Sequence, residues 1–347
     1  MDALSSAQNK LLPEMSELLK KRYQILQAIQ QEQPIGRRTL SEFSGMTERD
    51  IRKETDLLRS QQLIEMKAAG MVITLQGEEV LESLRSFMHK LTGIADLALK
   101  LKMQLGIADV IVVPLDSDKA ISVKKGIGKE AARILEKHFT GETKVAVTGG
   151  STMAAIAKEL TGDKSYPSLQ FIAARGGLGE DVLHQANTIA SAFAEKTGGT
   201  FKTLYLPDHL SEEAYAMMMK EPLIREMMNL YEQTDMVVHG IGNAQEMAVR
   251  RQSTSEEVEK ITEGGAVSEA FGYYFDEQGN VVYRIRSAGI QLEQVHKAPT
   301  ILAVAGGRSK AKAIFSYFKN APKRTVLVTD EGAAKEILDL IENLGGN

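Results

Sequence analysis

The chain reads as a mixed α/β protein, an N-terminal winged helix-turn-helix followed by a larger Rossmann-like domain with a mainly parallel sheet. Three observations predict this. Residues 36–74 have helix–glycine–helix–hairpin spacing. From Ala108 onward, β-rich and helical stretches alternate, which argues for a parallel sheet covered by helices. Several of those strands run into glycine turns that open a helix. A chain of 347 residues is too long for one ordinary core and suits two or three domains. The expected division is 1–75 for DNA binding, 76–105 for a helical connector and 106–347 for a ligand domain.

Residues 1–12 read as frayed. Pro13 suits the first turn of a helix running to about Gln31, whose Leu18, Ile25, Leu26 and Ile29 would cap the helix-turn-helix core. A short helix, Arg38–Ser44, should turn Leu40 and Phe43 inward, and Gly45 supplies the turn. Thr47 is an N-cap with Asp50 three residues on. Ile51, Thr55 and Leu58 then fall at i, i+4 and i+7, so one face of the second helix is buried. Arg49, Arg52, Lys53, Asp56 and Arg59 lie on the other face, which a major groove could receive. Two apolar runs, 63–66 and 71–75, joined by Lys67-Ala-Ala-Gly70, form the wing. A charged helix face alone is usually just solvated; the wing is what turns it toward DNA. Arg37, Arg38, Thr47, Arg49, Arg52 and Lys53 are therefore the candidate contacts to operator DNA.

Past the wing, Val80, Leu84, Phe87, Leu91, Ile94, Ala98, Leu101 and Leu105 step alternately by four and three. That a/d seam predicts a long helical stretch over about 76–105, and a palindrome-reading module needs its copies held together, so self-association is expected here. The plainer alternative is a helix lying on its own domain. Gly93 costs about 1 kcal/mol of helix propensity and marks a bend or break. Further strands are expected at 110–114, 145–148, 170–173, 203–206, 236–239, 300–304 and 325–328, with helices at 126–138, 151–160, 189–196 and 310–318 between them. Tyr273–Phe275 and Val281–Ile285 should form a hairpin.

Composition narrows the function. A net charge of −4 and a pI near 6.0 are wrong for a protein that coats nucleic acid by charge alone. They leave site-specific binding through a small basic face. The absence of cysteine excludes disulfides and thiolate metal sites. The six histidines are scattered without ligand spacing, so no metal is expected. No apolar run approaches the ~18 residues a membrane span needs, and no signal-peptide core is legible. A soluble cytoplasmic protein is expected.

Two strand-to-helix turns carry the same anion-binding logic. Val145-Ala-Val-Thr-Gly-Gly-Ser-Thr-Met153 is strand, paired glycines and two hydroxyls; Ile301-Leu-Ala-Val-Ala-Gly-Gly-Arg-Ser-Lys310 is strand, paired glycines and two cations. Glycines let backbone N–H groups approach an anion, and the helix N-terminus adds favourable dipole charge. Neither turn has Walker spacing. Arg175, in a third glycine turn, and Arg250-Arg251, beyond Gly240-Ile-Gly242, add guanidinium forks suited to phosphate. Two anion loops suit a bisphosphate, one loop for each phosphate.

These motifs, with Ala174-Arg-Gly-Gly-Leu-Gly-Glu-Asp181, Gln185-Ala-Asn-Thr188, Glu269-Ala-Phe-Gly-Tyr-Tyr274 and Pro34-Ile-Gly-Arg-Arg38, resemble the SorC-type sugar-responsive bacterial regulators over nearly the whole chain. The resemblance implies a phosphosugar-isomerase-like domain that acts as an effector sensor, in a repressor of a glycolytic operon with fructose 1,6-bisphosphate as inducer and no cofactor. It implies ligand contacts from Gly149, Gly150, Ser151, Thr152, Arg175, Gln185, Arg250, Arg251, Glu269 and Lys310, with Gln185 and Glu269 serving sugar hydroxyls. Ser151 stands where a relative has threonine and keeps the hydroxyl; Arg308 is an extra cation. The competing reading is a phosphosugar isomerase or deaminase with an accessory domain, for which Asp181, His239 and Glu269 are the candidate acids and bases. Fold likeness does not imply retained chemistry, so no catalytic residue is expected.

Overall fold

The computed structural model describes residues 11–162, 165–177 and 181–345 and divides into two compact units, Met1–Leu97 and Ala98–Asn347. Residues 1–10, expected to fray, and the Phe43 side chain, expected inward, lie outside the described part.

In the first unit the order is α1 (Pro13–Glu32), α2 (Arg37–Ser44), α3 (Glu48–Ser60), β1 (Ile64–Lys67), β2 (Gly70–Ile73) and α4 (Leu75–Leu91). Ile25, Leu26 and Ile29 of α1 meet Leu40, Ile51, Leu58, Ile64 and Met71 in one buried cluster. Leu18 does not join it and stays 39% exposed, because it lies beyond the turns of α1 that reach the cluster. Gly45 takes the left-handed φ of 67° that ends α2. Thr47 Oγ1 accepts from Asp50 N at 3.2 Å and opens α3. β1 and β2 pair antiparallel around Lys67↔Gly70, and Ile35 bridges Met71 as a third short edge to the wing. Gly70 is required there: at φ 140° a Cβ would sit 2.8 Å from the Ile35 backbone.

The helical stretch expected over 76–105 is two helices, α4 and α5 (Ile94–Leu105), broken at Gly93, where a bend or break was expected. The break is local chemistry. Thr92 turns its hydroxyl onto Met88 O at 2.7 Å, and Gly93 takes φ 77°, where a side chain would be strained. Leu91, Ile94, Leu101 and Leu105 of the seam are buried within the single chain, whereas Val80, Leu84 and Phe87 are half-buried.

The second unit is built on a seven-stranded parallel sheet. Its strands are β3 (Asp109–Val113), β4 (Lys144–Val147), β5 (Gln170–Ala173), β6 (Thr200–Lys202), β7 (Met236–His239), β12 (Thr300–Val304) and β13 (Thr325–Asp330), in the order β3-β13-β12-β7-β4-β5-β6. Helices α6 (Ile121–His138), α7 (Ser151–Glu159) and α8 (Ala186–Thr197) pack their apolar faces onto it through Ile127, Leu135, Ile156, Ile189 and Phe193. The strand expected at 203–206 is loop, and β6 lies just before it. Leu204 is buried, so it looked like a strand residue, but the Asn187 side chain takes both its N–H (2.9 Å) and its carbonyl (3.0 Å) in place of a ladder.

A second, antiparallel sheet joins β8 (Gly242–Asn243), β9 (Ser268–Ala270), β10 (Tyr273–Phe275) and β11 (Val281–Arg284); its outer pair is the expected hairpin. Helices α9 (Glu212–Met218), α10 (Pro222–Glu232), α11 (Ala244–Arg250), α12 (Ser255–Glu263), α13 (Leu292–Lys297), α14 (Ala311–Asn320) and α15 (Glu331–Gly345) complete the unit. From β4 the large sheet grows through β5 to β6; from β7 it grows the other way, to β12 and β13. The connections therefore part between β4 and β7, which opens a crevice at the carboxyl ends of those strands.

Candidate functional site

The loop after β4 lies at that crevice. Gly149 passes so close to the 182–186 segment that a Cβ would lie 2.6 Å from His184 O, and Gly150 takes φ 118°. No side chain caps α7, and Ser151, Thr152 and Met153 of its first turn, whose N–H groups have no intrahelical partner, line the cavity. Lys310, in the turn between β12 and α14, lines the same cavity, as does Arg250 at the end of α11. Lys124 on α6 donates to Ser151 Oγ at 3.2 Å. Burial, with the Lys124 and Arg250 charges, holds the Lys310 ammonium below its ordinary pKa against the opposing pull of Glu246 and Asp118. Among the described residues neither Lys310 nor Arg250 has a salt-bridge partner. This outer end of the cavity is cationic and donor-rich, as a phosphate requires.

The inner end differs. Asp208, Arg175 and Glu269 are buried cavity-lining residues, and the Arg251 side chain beside them is only 5% exposed. Arg251 holds Asp208 Oδ2 and Glu269 Oε1, each at 2.7 Å, and Glu269 Oε1 also accepts from Gly272 N at 2.6 Å. Arg175 Nε lies 2.7 Å from Asp208 Oδ1 in an ion contact too poorly aligned to be a hydrogen bond, and its Nη1 donates to Phe271 O. Burial opposes it, but the two guanidinium groups hold the Asp208 carboxyl below its usual range. Two arginines and two carboxylates leave this end neutral, with donors and acceptors that fit hydroxyl groups.

The second glycine loop corrects a sequence expectation. Its backbone is already occupied by the chain's own carboxylates: Gly307 N donates to Asp330 Oδ2 (2.7 Å), Arg308 N to Asp116 Oδ1 (3.3 Å) and Ser309 N to Asp118 Oδ2 (2.7 Å). It is not an open anion cradle. Arg308 is exposed and pairs with Glu336 at 2.9 Å, so only Lys310 of this loop reaches the cavity.

All ten residues expected to touch the ligand, Gly149, Gly150, Ser151, Thr152, Arg175, Gln185, Arg250, Arg251, Glu269 and Lys310, line this one cavity. Leu178–Glu180 of the third glycine motif lie outside the described residues. Lys124 and Asp208 were missed. Neither sits in a recognisable motif, since each is brought in by tertiary packing from a helix or loop. Of the candidate catalytic groups, Asp181 pairs with His184 at 2.5 Å and Glu269 is tied to Arg251. His239 is fully buried, with Nδ1 on Gly240 O (3.0 Å) and Nε2 on Tyr317 Oη (3.2 Å).

In the first unit Arg49, Arg52, Lys53 and Arg59 are exposed along α3, and Thr47 caps its start. Arg37 pairs with Asp56 at 3.1 Å, and Arg38, largely exposed, lies 3.4 Å from Glu42. Buried Glu54 turns to the other side and holds Arg22 (2.9 Å) and Lys21 (3.5 Å) of α1. The basic face is thus carried on a helix anchored from behind.

Comparison with known proteins bears on both units. Residues 18–88 match the model of the CggR N-terminal DNA binding domain, and residues 89–339 match that of a sugar-binding domain. The central glycolytic genes regulator of Bacillus subtilis (strain 168) is 46% identical over 338 residues, which is 97% of this chain and 99% of that protein. A crystal structure described as a SorC family transcriptional regulator from Enterococcus faecalis has 42% identity and a TM-score of 0.65, covering 70% of this chain and 99% of that one. The chain belongs to the SorC family of sugar-binding transcriptional regulators. The central glycolytic genes regulator of Priestia megaterium (strain DSM 319 / IMG 1521) is also similar, at 44% over 339 residues, 97% of this chain and 99% of that protein. As a SorC regulator the chain joins a DNA-binding domain to a sugar-binding domain, and no described helix is long and apolar enough to cross a membrane.

Proposed function

We propose that this regulator represses a glycolytic operon and is released from its operator by a sugar phosphate, with fructose 1,6-bisphosphate as the inducer. One observation carries the reading: ten motif residues from six separate segments converge on one cavity whose outer end is cationic. A phosphate would sit on the Gly149–Thr152 loop against Lys310, Arg250 and Lys124. The sugar hydroxyls would meet Gln185 and Glu269, and the second phosphate the inner arginines, Arg175 and Arg251. Arg49, Arg52 and Lys53 would meet operator bases, with Arg37, Arg38 and Thr47 toward the backbone. The glycolytic target rests on likeness to the two central glycolytic genes regulators; the inducer is the one the SorC-type motifs imply.

The functional division follows as 1–75 for DNA, 76–105 for connection and self-association, and 106–347 for the effector, in a cytoplasmic protein that does no chemistry on its ligand. The ion pairing of Glu269 and the burial of His239 support that last point, since a general base must reach a substrate proton. The deciding experiment is titration of full-length protein on operator DNA with fructose 1,6-bisphosphate, alongside an assay for aldose–ketose interconversion. Release of DNA without turnover is expected. Turnover, or DNA binding indifferent to every sugar phosphate, would overturn the reading.

A further inference from the structure

The cavity contains a carboxylate already seated where a ligand anion would go. Asp208, 2% exposed, lies between the two inner guanidinium groups, with one oxygen 2.7 Å from Arg175 Nε and the other 2.7 Å from Arg251 Nη1. Yet the match is incomplete. Among the described residues, Arg175 Nε and Nη2 and Arg251 Nε are buried without a hydrogen-bond acceptor. Buried guanidinium donors left unpaired are costly, so the inner end has unused capacity for an oxyanion. Its charge, however, is already balanced by Asp208 and Glu269, and Glu269 is further fixed by Gly272 N. Adding a dianion to a buried, neutral group of four charges is unfavourable unless one negative charge leaves.

We propose that Asp208 is a specificity-determining residue: an internal counter-anion that sets how much negative charge the inner end of the cavity accepts. A ligand with one phosphate occupies the outer end and offers hydroxyls to the inner one, leaving Asp208 in place. A ligand with a second phosphate must take the two arginines from Asp208. Asp208 enters from the 207–211 turn, which is tied back by Asp208 N to Gly177 O (2.9 Å) and Leu210 N to Arg286 O (3.0 Å), so exchange would also disturb that turn. The inference rests on the sugar-phosphate reading for its ligands but not for its electrostatics.

The test compares full-length wild type, Asp208→Asn and Arg251→Gln by calorimetric titration with fructose 1,6-bisphosphate and fructose 6-phosphate, each at two salt concentrations. Asp208→Asn keeps the shape and removes the charge. It should raise the ratio of bisphosphate to monophosphate affinity about tenfold and steepen the salt dependence of the bisphosphate alone. Arg251→Gln should move the ratio the opposite way. An unchanged ratio, or equal weakening of both ligands by Asp208→Asn, would mean Asp208 only holds the arginines in position and would overturn the proposal. A second arm uses inorganic phosphate against chloride at matched ionic strength, read as melting temperature. Asp208→Asn should gain more protection from phosphate than wild type even if neither sugar phosphate binds, which separates failure of this proposal from failure of the effector assignment. No gain there overturns it as well.

Discussion

At the scale of single residues, the cavity separates groups that hold a ligand from groups that hold each other. Thr152 and Lys310 belong to the first kind: Thr152→Ala and Lys310→Ala should abolish most of the sugar-phosphate-induced melting shift while leaving the ligand-free melting point within a degree or two. Lys124→Gln should weaken binding several-fold, with its exposed neighbour Lys125→Gln as the neutral control. Unaltered shifts in Lys310→Ala and Lys124→Gln would move the phosphate elsewhere. Arg175→Ala belongs to the second kind. It strands Asp208 with one partner, and breaking a buried pair costs about 3–5 kcal/mol, so this variant should lose stability as well as ligand. His239 gives a pH prediction. Burial lowers its pKa from 6.5 to about 4, so the unfolded chain takes up the proton first. Its contribution to stability is complete above pH 6.5 and is lost as pH falls toward 4. Melting between about pH 7 and pH 5 should show a shallower decline in His239→Gln than in wild type.

At the scale of elements, α3 and the α4–α5 break decide the outcome. The stripe Ile51, Thr55, Leu58 is buried as its spacing requires, which leaves Arg49, Arg52 and Lys53 to solvent. Loss of a base-contacting arginine should cost about 1–3 kcal/mol of operator affinity, and loss of a phosphate-contacting lysine should mainly flatten the salt dependence. A triple alanine variant with wild-type affinity and salt slope would remove α3 from the interface. The connector needs a gentler probe than its spacing suggested. Leu91 is buried inside the chain, so a charge there would unfold as readily as dissociate. Leu84→Glu with Phe87→Glu acts on half-buried positions instead, and a lower-order species in sedimentation is the expected result. An unchanged assembly would show that the seam serves only its own chain.

For the whole molecule, control of DNA by a ligand is a linkage between two sites. An effector that releases operator must bind the DNA-free arrangement more tightly, and operator must weaken the effector by the same factor. Effector at a hundredfold excess over its Kd should stabilise the sugar-binding unit by about 2.7 kcal/mol, and Thr152→Ala should remain on operator at concentrations that release wild type. If operator left effector affinity untouched, the two sites would be independent whatever their separate strengths.

Local chemistry determined much of this protein from the sequence by itself. The N-cap at Thr47, the turn at Gly45, the 3.6-residue stripe of α3, the hairpin at 273–285 and the glycine turn before α7 each depend on neighbours a few residues apart, so they are legible in one dimension. Of the ten cavity residues, the Gly149–Thr152 turn, Arg175, Arg250, Arg251 and Lys310 were suggested by glycine turns and cations in the sequence, whereas Gln185 and Glu269 were implied only by the resemblance to SorC-type regulators. What only the tertiary structure decided were questions of partnership across long separations. The 306–310 loop has the composition of an anion cradle, but Asp116, Asp118 and Asp330 fill it from other strand ends. Leu204 has the pattern of a strand, but Asn187 satisfies its backbone. Arg175 and Arg251 have the chemistry of phosphate forks, but Asp208, from a segment with no motif, and Glu269 balance their charge. Residue type sets what a group is able to bind; whether it is free to do so depends on which charges the fold places within 3 Å of it, and no spacing along the chain encodes that.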